Sequence, residues 1–289
     1  MQKIKIGNQE YKIPNHWNEL AMDSLIFLSS QTQKGVTVDE LKVKMVLHLL
    51  NAYIFENGKR AETELYRVHI GKEIHFLDVE DFMKLKECAN FLFEVRKVKV
   101  KDEEKEISAL SSQLYKCPFK KFPCGCAAEL HNPGDTALSD ITFGEMNYIQ
   151  TINAAMQVDF WDNLDKMIGI LFRNRNKPFN PQKIFDYATD VSKASRNLKM
   201  IAYWHYVGSM NRLEKKFPTV FQRTGEAYKA GGVFNQQMEL VIELANDDIT
   251  KVEDVNNTLY YTVLFRLEKT NKEAEESKKA AEKIKKSKK

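Results

Sequence analysis

The breaks in the second half of this chain are few and sharp. Pro178 and Pro181 stand close together and Gly231-Gly232 follows; before, between and after these points apolar residues recur at three- and four-residue spacing. That spacing lays one apolar stripe along a helix. It predicts helices near 143–156, 160–173, 181–192, 194–213 and 234–246. A last helix, starting near Thr250 or Glu253, carries Val255, Leu259, Val263 and Leu267 and runs on into a lysine-rich tail. Only 12 glycines and 7 prolines occur in 289 residues, which disfavours a loop-rich β-sandwich. Hydrophobic residues make up 43%, enough for a core, so disorder is not the default.

The first half mixes periods. Ile4 and Ile6, then Tyr11 and Ile13, alternate with polar neighbours around Gly7-Asn8, which predicts a β-hairpin. Helices follow near 21–32 and after a cap at Thr37 or Asp39. A second hairpin spans about 65–77. A three-residue turn Gly71-Lys72-Glu73 would pair Ile70 with Ile74 and Val68 with Phe76 on one face, leaving His69 opposite His75 on the other. A third helix starts at Asp78 or Asp81 and carries Phe82, Leu85, Ala89, Leu92 and Phe93. The expected fold class is therefore mainly α with small β-hairpins (α+β). Residues 1–97 form an N-terminal hairpin and helical module, 98–137 a linker with a cysteine cluster, 138–270 a C-terminal helical module and 271–289 a charged tail.

The two modules align as degenerate copies. Trp17-Asn18-Glu19-Leu20, with Leu25-Ile26-Phe27-Leu28 after it, matches Leu138-Ser139-Asp140-Ile141 and Met146-Asn147-Tyr148-Ile149 at an offset of 121. Asp39-Glu40-Leu41 matches Asp162-Asn163-Leu164 at 123. Any two amphipathic helical hairpins align this way, so a tandem repeat and a chance likeness both fit.

Charge narrows the function. The formal charge of +4 equals the surplus of eight lysines over four glutamates in residues 272–289, so the body is neutral and gives no bulk electrostatic case for nucleic acid. No run of 18 apolar residues offers a membrane span. The start of the chain is too short and too alternating for a signal peptide. Four cysteines without one point to a reducing compartment, a cytoplasm, where disulfides are not expected.

Few constellations carry chemistry. Cys117, Cys124, Cys126 and His131 offer three thiolates and an imidazole, a donor set that suits structural zinc. Their C-x6-C-x-C-x4-H spacing lacks the usual C-x2-C pair, and reduced, unligated cysteines in a linker fit as well. His48 and His205 read as core or interface residues without an acid–base partner in the sequence. Arg173, Arg175 and Lys177 with Phe172 and Phe179 form a small basic-aromatic patch, although helix C-termini collect such cations anyway. Phosphate loops, nucleophile elbows and zincin motifs are absent. An enzyme is thus not expected.

Two segments bear a resemblance. Leu138-Ser139-Asp140-Ile141-Thr142-Phe143-Gly144-Glu145 resembles a segment of the tail-module proteins of Bacteroides-like phages and prophages. Asp248-Ile249-Thr250-Lys251, with Val255, Leu259-Tyr260 and Leu267-Glu268-Lys269, resembles their C-terminal helix, and the N-terminal hairpin with Trp17-Asn18-Glu19-Leu20 resembles their opening. The resemblance skips the cysteine-bearing linker. It implies a non-enzymatic role in phage tail assembly within the bacterial host cytoplasm, similar to the tail assembly chaperones that hold a tape-measure protein soluble. A tape-measure or tail-tube protein would be the partner. Trp161, Tyr203 and Trp204 are then candidate contact residues, with core filling as the alternative role. A structural virion component and a zinc-containing nucleic-acid-binding regulator are the competing classes.

Overall fold

The alternation at the start of the chain becomes a strand pair, β1 (Gln2–Ile6) and β2 (Gln9–Ile13), closed by the two-residue turn Gly7-Asn8. The computed structural model describes residues 1–55, 65–100, 103–119, 122, 138–173, 177–221 and 230–287. It resolves into two units, Met1–Leu114 and Tyr115–Lys289. The fold is mainly α, with ten α-helices among the described residues and antiparallel sheets of two or three strands.

In the first unit, α1 (Met22–Gln33) packs on α2 (Val38–Leu49), whose N-terminus is capped by Thr37 accepting from the Glu40 amide. The chain then builds a sheet in the order β3 (Ala52–Ile54), β4 (Tyr66–Ile70), β5 (Glu73–Leu77). Asp78 and Asp81 close a reciprocal capping box at 2.8 and 3.2 Å and start α3 (Val79–Glu87). Ile13, Trp17, Leu25, Leu28, Met45, Val68 and Leu92 are fully buried in this unit.

Three expectations need correction here. The β4–β5 turn has two residues, Gly71 and Lys72, and pairs Ile70 with Glu73, Val68 with His75 and His69 with Ile74. Gly71 takes φ +62° at the first central position, the geometry that suits a tight hairpin between twisted strands. That turn chemistry outweighs the gain from matching apolar neighbours, and it puts His69 and His75 on opposite faces. Second, α3 ends at Glu87, and Leu92 and Phe93 lie beyond it. Third, the stretch from 98 does not begin as a linker. β6 (Phe93–Val100) pairs with β7 (Glu103–Leu110) in a register that sets Lys97 opposite Glu106, so the charge run is a strand pair with opposite signs across it.

The second unit holds α4 (Phe143–Ala155), α5 (Phe160–Leu171), α6 (Ile184–Ser192), α7 (Arg196–Lys216), α8 (Ala230–Leu244), α9 (Val252–Asn257) and α10 (Tyr260–Ser287). Asp159 and Ser195 cap α5 and α7. Phe119 and Phe122, from the supposed linker, are buried against Phe172 at ring distances of 5.6 and 4.9 Å. The single last helix of the sequence reading is broken at Thr258. Its carbonyl accepts the Phe143 amide, and the Ile141 carbonyl accepts the Tyr260 amide, both at 2.8 Å. This bridge between Thr142 and Leu259 exposes Leu259 and moves the buried stripe to Tyr260, Val263 and Leu264.

Candidate protein-binding face

Antiparallel pairing sends alternate side chains of β3–β5 to opposite faces. Val68, Ile70 and Leu77 point into the core. The other face carries Tyr53, His69 and Ile74 in one cross-strand row, and Phe55, Arg67 and Phe76 in the next. Four of these six are large apolar groups open to solvent: Tyr53 at 53%, Phe55 at 48%, Ile74 at 45% and Phe76 at 49% exposure. Single exposed hydrophobes are ordinary, whereas a contiguous set marks an interaction surface.

The face is ordered by its own contacts. The His69 ring stacks on Tyr53 at 4.9 Å and lies 5.3 Å from Phe55, while the Arg67 guanidinium sits 5.4 Å over the Phe55 ring. Beside it a groove of about 780 Å³ runs between α1, α2, β3 and α3. Phe27, Val43, Leu47, Tyr53, Ile54 and Met83 line it, and Lys34, Asp39, Glu40, Lys44 and Lys86 stand among its charged groups. His48 is stacked on Phe27 at 4.2 Å, and burial holds its imidazole below the usual histidine range. On the opposite side of the sheet, His75 Nε2 meets the Tyr11 hydroxyl at 2.8 Å and so ties the sheet to the first hairpin.

The residues singled out in the sequence fare differently. Cys117 is half-buried and its thiol reaches the Phe119 carbonyl at 3.5 Å. Cys124, Cys126 and His131, the rest of the candidate zinc set, lie outside the described residues. Trp161 is half-buried under the Arg196 guanidinium at 4.9 Å. Phe160 joins it to Tyr203, edge-on to both at 5.2 and 5.7 Å. Trp204 points the other way and is buried in the core. In the basic-aromatic patch, Arg173 is buried, forms an ion pair with Glu145 and donates to the Lys177 carbonyl. Phe172 is fully buried, and Arg175 lies outside the described residues. The exposed aromatic face itself was hidden by the assumed three-residue turn; Gly71 followed by a single residue before Glu73 was the available signal.

No protein-family model, curated protein or solved structure matches the chain. No described helix is long and apolar enough to cross a membrane. The segments 138–145 and 248–269 have defined structural roles. Thr142 caps α4, Phe143 stacks on Tyr260 at 6.2 Å, Gly144 lies against Asn256 where a Cβ would be 3.1 Å away, and Glu145 closes the capping box. The two segments therefore meet at the Thr142–Leu259 bridge.

Proposed function

We propose that this chain is a non-enzymatic binding protein of phage tail assembly that keeps a tape-measure protein soluble until the tail tube forms around it. The observation that carries the protein-binding part is the exposed face of Tyr53, Phe55, Ile74 and Phe76 beside a groove with apolar walls and charged residues among them. A long helical chain with apolar stripes would aggregate when free. Laying such a stripe into the groove, with its flank on the aromatic face, is a helix-in-groove mode of recognition. Lysines and acids at the groove give the contact polar groups that fix orientation. The phage-tail part rests on the resemblance at 138–145 and 248–269.

Co-expression with the tape-measure protein of the same tail module tests the reading. The expected outcome is a soluble complex that co-purifies, with the tape-measure protein insoluble when expressed alone. Recovery of this chain by itself, with the tape-measure protein still in the pellet, would overturn it.

A further inference from the structure

The surplus positive charge of the chain sits on the distal part of α10. From Ser277 onward the sequence holds seven lysines against the single Glu282. Nearer the core the helix neutralises itself turn by turn. Lys272 pairs with Glu268 at 3.0 Å, Lys269 with Glu273 at 3.8 Å and Lys279 with Glu275 at 3.9 Å. That ladder stops at Lys279. Lys278 and Lys283 form no ion pair among the described residues. Every side chain from Glu276 to Lys283 is exposed, while the helix continues to Ser287. Lys279 and Lys283 stand one turn apart with like charge, which disfavours a helix until a counter-charge arrives.

The composition of this stretch narrows what supplies that counter-charge. No aromatic residue follows Phe265 and no arginine follows Arg266. Protein interfaces are anchored by buried tyrosine, tryptophan and arginine, and single-stranded nucleic acid by bases stacked on aromatic rings. Neither anchor is present. A membrane-surface helix needs a broad apolar face, whereas Ala280, Ala281 and Ile284 are the only apolar residues beyond Ser277. What the stretch offers is charge density. A lysine ammonium is a compact point charge that donates to phosphate oxygens from many directions. From Lys278 to Ser287 the helix is about 15 Å long at 1.5 Å per residue. Its five lysines recur on average every ~3 Å, close to the ~3.4 Å between successive phosphates of one strand along a DNA duplex.

We propose that the distal part of α10 is a docking surface for double-stranded DNA, held through the phosphate backbone without regard to base sequence. Lys278 and Lys283 meet phosphates directly, and Lys279 exchanges its long contact with Glu275 for one. The neutral body takes no part. The proposal stands apart from the tape-measure reading, and either can fail without the other.

Fluorescence anisotropy of the full chain with labelled DNA duplexes of two unrelated sequences tests this. Both duplexes are expected to bind equally. Neutralising about four phosphates gives a fall in affinity of about a hundredfold between roughly 50 and 200 mM salt. The triple variant Lys278→Gln, Lys279→Gln, Lys283→Gln, with unchanged circular dichroism, should bind about tenfold more weakly or worse and show a shallower salt slope. The control variant Lys72→Gln, Lys193→Gln, Lys215→Gln removes the same charge from exposed positions of the body and should bind as the wild type does. Absence of duplex binding, or an equal loss in both variants, would overturn the proposal. So would tighter binding to a glutamate polymer or to phosphatidylserine vesicles than to the duplex. Salt-sensitive self-association in place of DNA binding would also overturn it, and would assign the lysines to the acidic α8 surface at Glu239, Glu243 and Asp247 of a second copy.

Discussion

Glu145 joins the start of one helix to the end of the next through Arg173. One carboxylate oxygen accepts the Thr142 amide at 2.8 Å and so closes the capping box of α4. The other accepts from Arg173 Nε, two residues beyond the end of α5. Both side chains are buried, with Glu145 wholly so. Removing one partner strands a buried charge, which typically destabilises a protein by about 3–5 kcal/mol. Glu145→Ala should therefore lower the urea midpoint of the second unit severely. Glu145→Ala combined with Arg173→Met should cost less than the sum of the two single changes, because the stranded guanidinium is gone. Additive costs in the double-mutant cycle would show that the pair is not coupled.

Gly169 sits in mid-helix, where alanine would normally stabilise α5 by about 1 kcal/mol. Here a Cβ would lie 2.7 Å from the Tyr187 carbonyl carbon and 2.8 Å from its oxygen, both backbone atoms of α6. Backbone cannot swing aside as a side-chain tip can. Gly169→Ala should thus be destabilising by about 1–3 kcal/mol, the usual range for overpacking, with thermal unfolding as the readout. A stabilising result would mean that α5 and α6 are not packed this closely.

The helices of the second unit were legible because capping residues and apolar periodicity agree there. Thr142, Asp159 and Ser195 each stand directly before the first turn they cap. The break at Thr258 was not legible, since Val255, Leu259 and Val263 keep helical spacing across it and only the distant Ile141–Phe143 segment imposes the kink. The β4–β5 register failed for a related reason: side-chain matching favoured one turn and backbone geometry at Gly71 decided for another. The aromatic face followed from that register and could not be read without it. The Glu145–Arg173 pair joins residues 28 apart in sequence, which no local pattern reports.

The aromatic face separates binding from stability. Phe55 and Phe76 are both about half exposed, so changing each to serine gives up only part of a side chain's burial, about 1 kcal/mol apiece. The Phe55→Ser, Phe76→Ser variant should lower the thermal midpoint modestly and stay folded. Co-purification of the tape-measure protein should fall steeply, because exposed aromatic anchors dominate such contacts. Val68→Ser, on the buried face of the same strand, is the contrasting control and should unfold the unit. An unaltered yield of complex with the doubly changed face would place the contact elsewhere.

Glu268 gives the second unit an acid-sensitive tie. Burial opposes its charge, but the Thr219 amide and hydroxyl donate to one carboxylate oxygen at 3.0 and 2.7 Å, and Lys272 lies 3.0 Å from the other. The donors prevail, and the carboxyl is held below its ordinary value of 4.5. A carboxylate with a depressed folded-state pKa stabilises the fold above its unfolded value, and that contribution disappears as pH falls through the folded value. Stability of the wild type should accordingly decline as pH drops below about 4.5, the unfolded-state value of a glutamate. Glu268→Gln keeps the shape but not the charge. It should be less stable than wild type at pH 7, and the difference should shrink as the medium is acidified below pH 4.5. His48 works in a neighbouring window on the other unit: its depressed imidazole makes the unfolded chain the better proton binder, so its effect begins as pH falls through 6.5. Urea midpoints taken from pH 7 down to pH 3 resolve the two, and a Glu268→Gln deficit that stays constant across that range would show that the Thr219 contacts do not depend on charge.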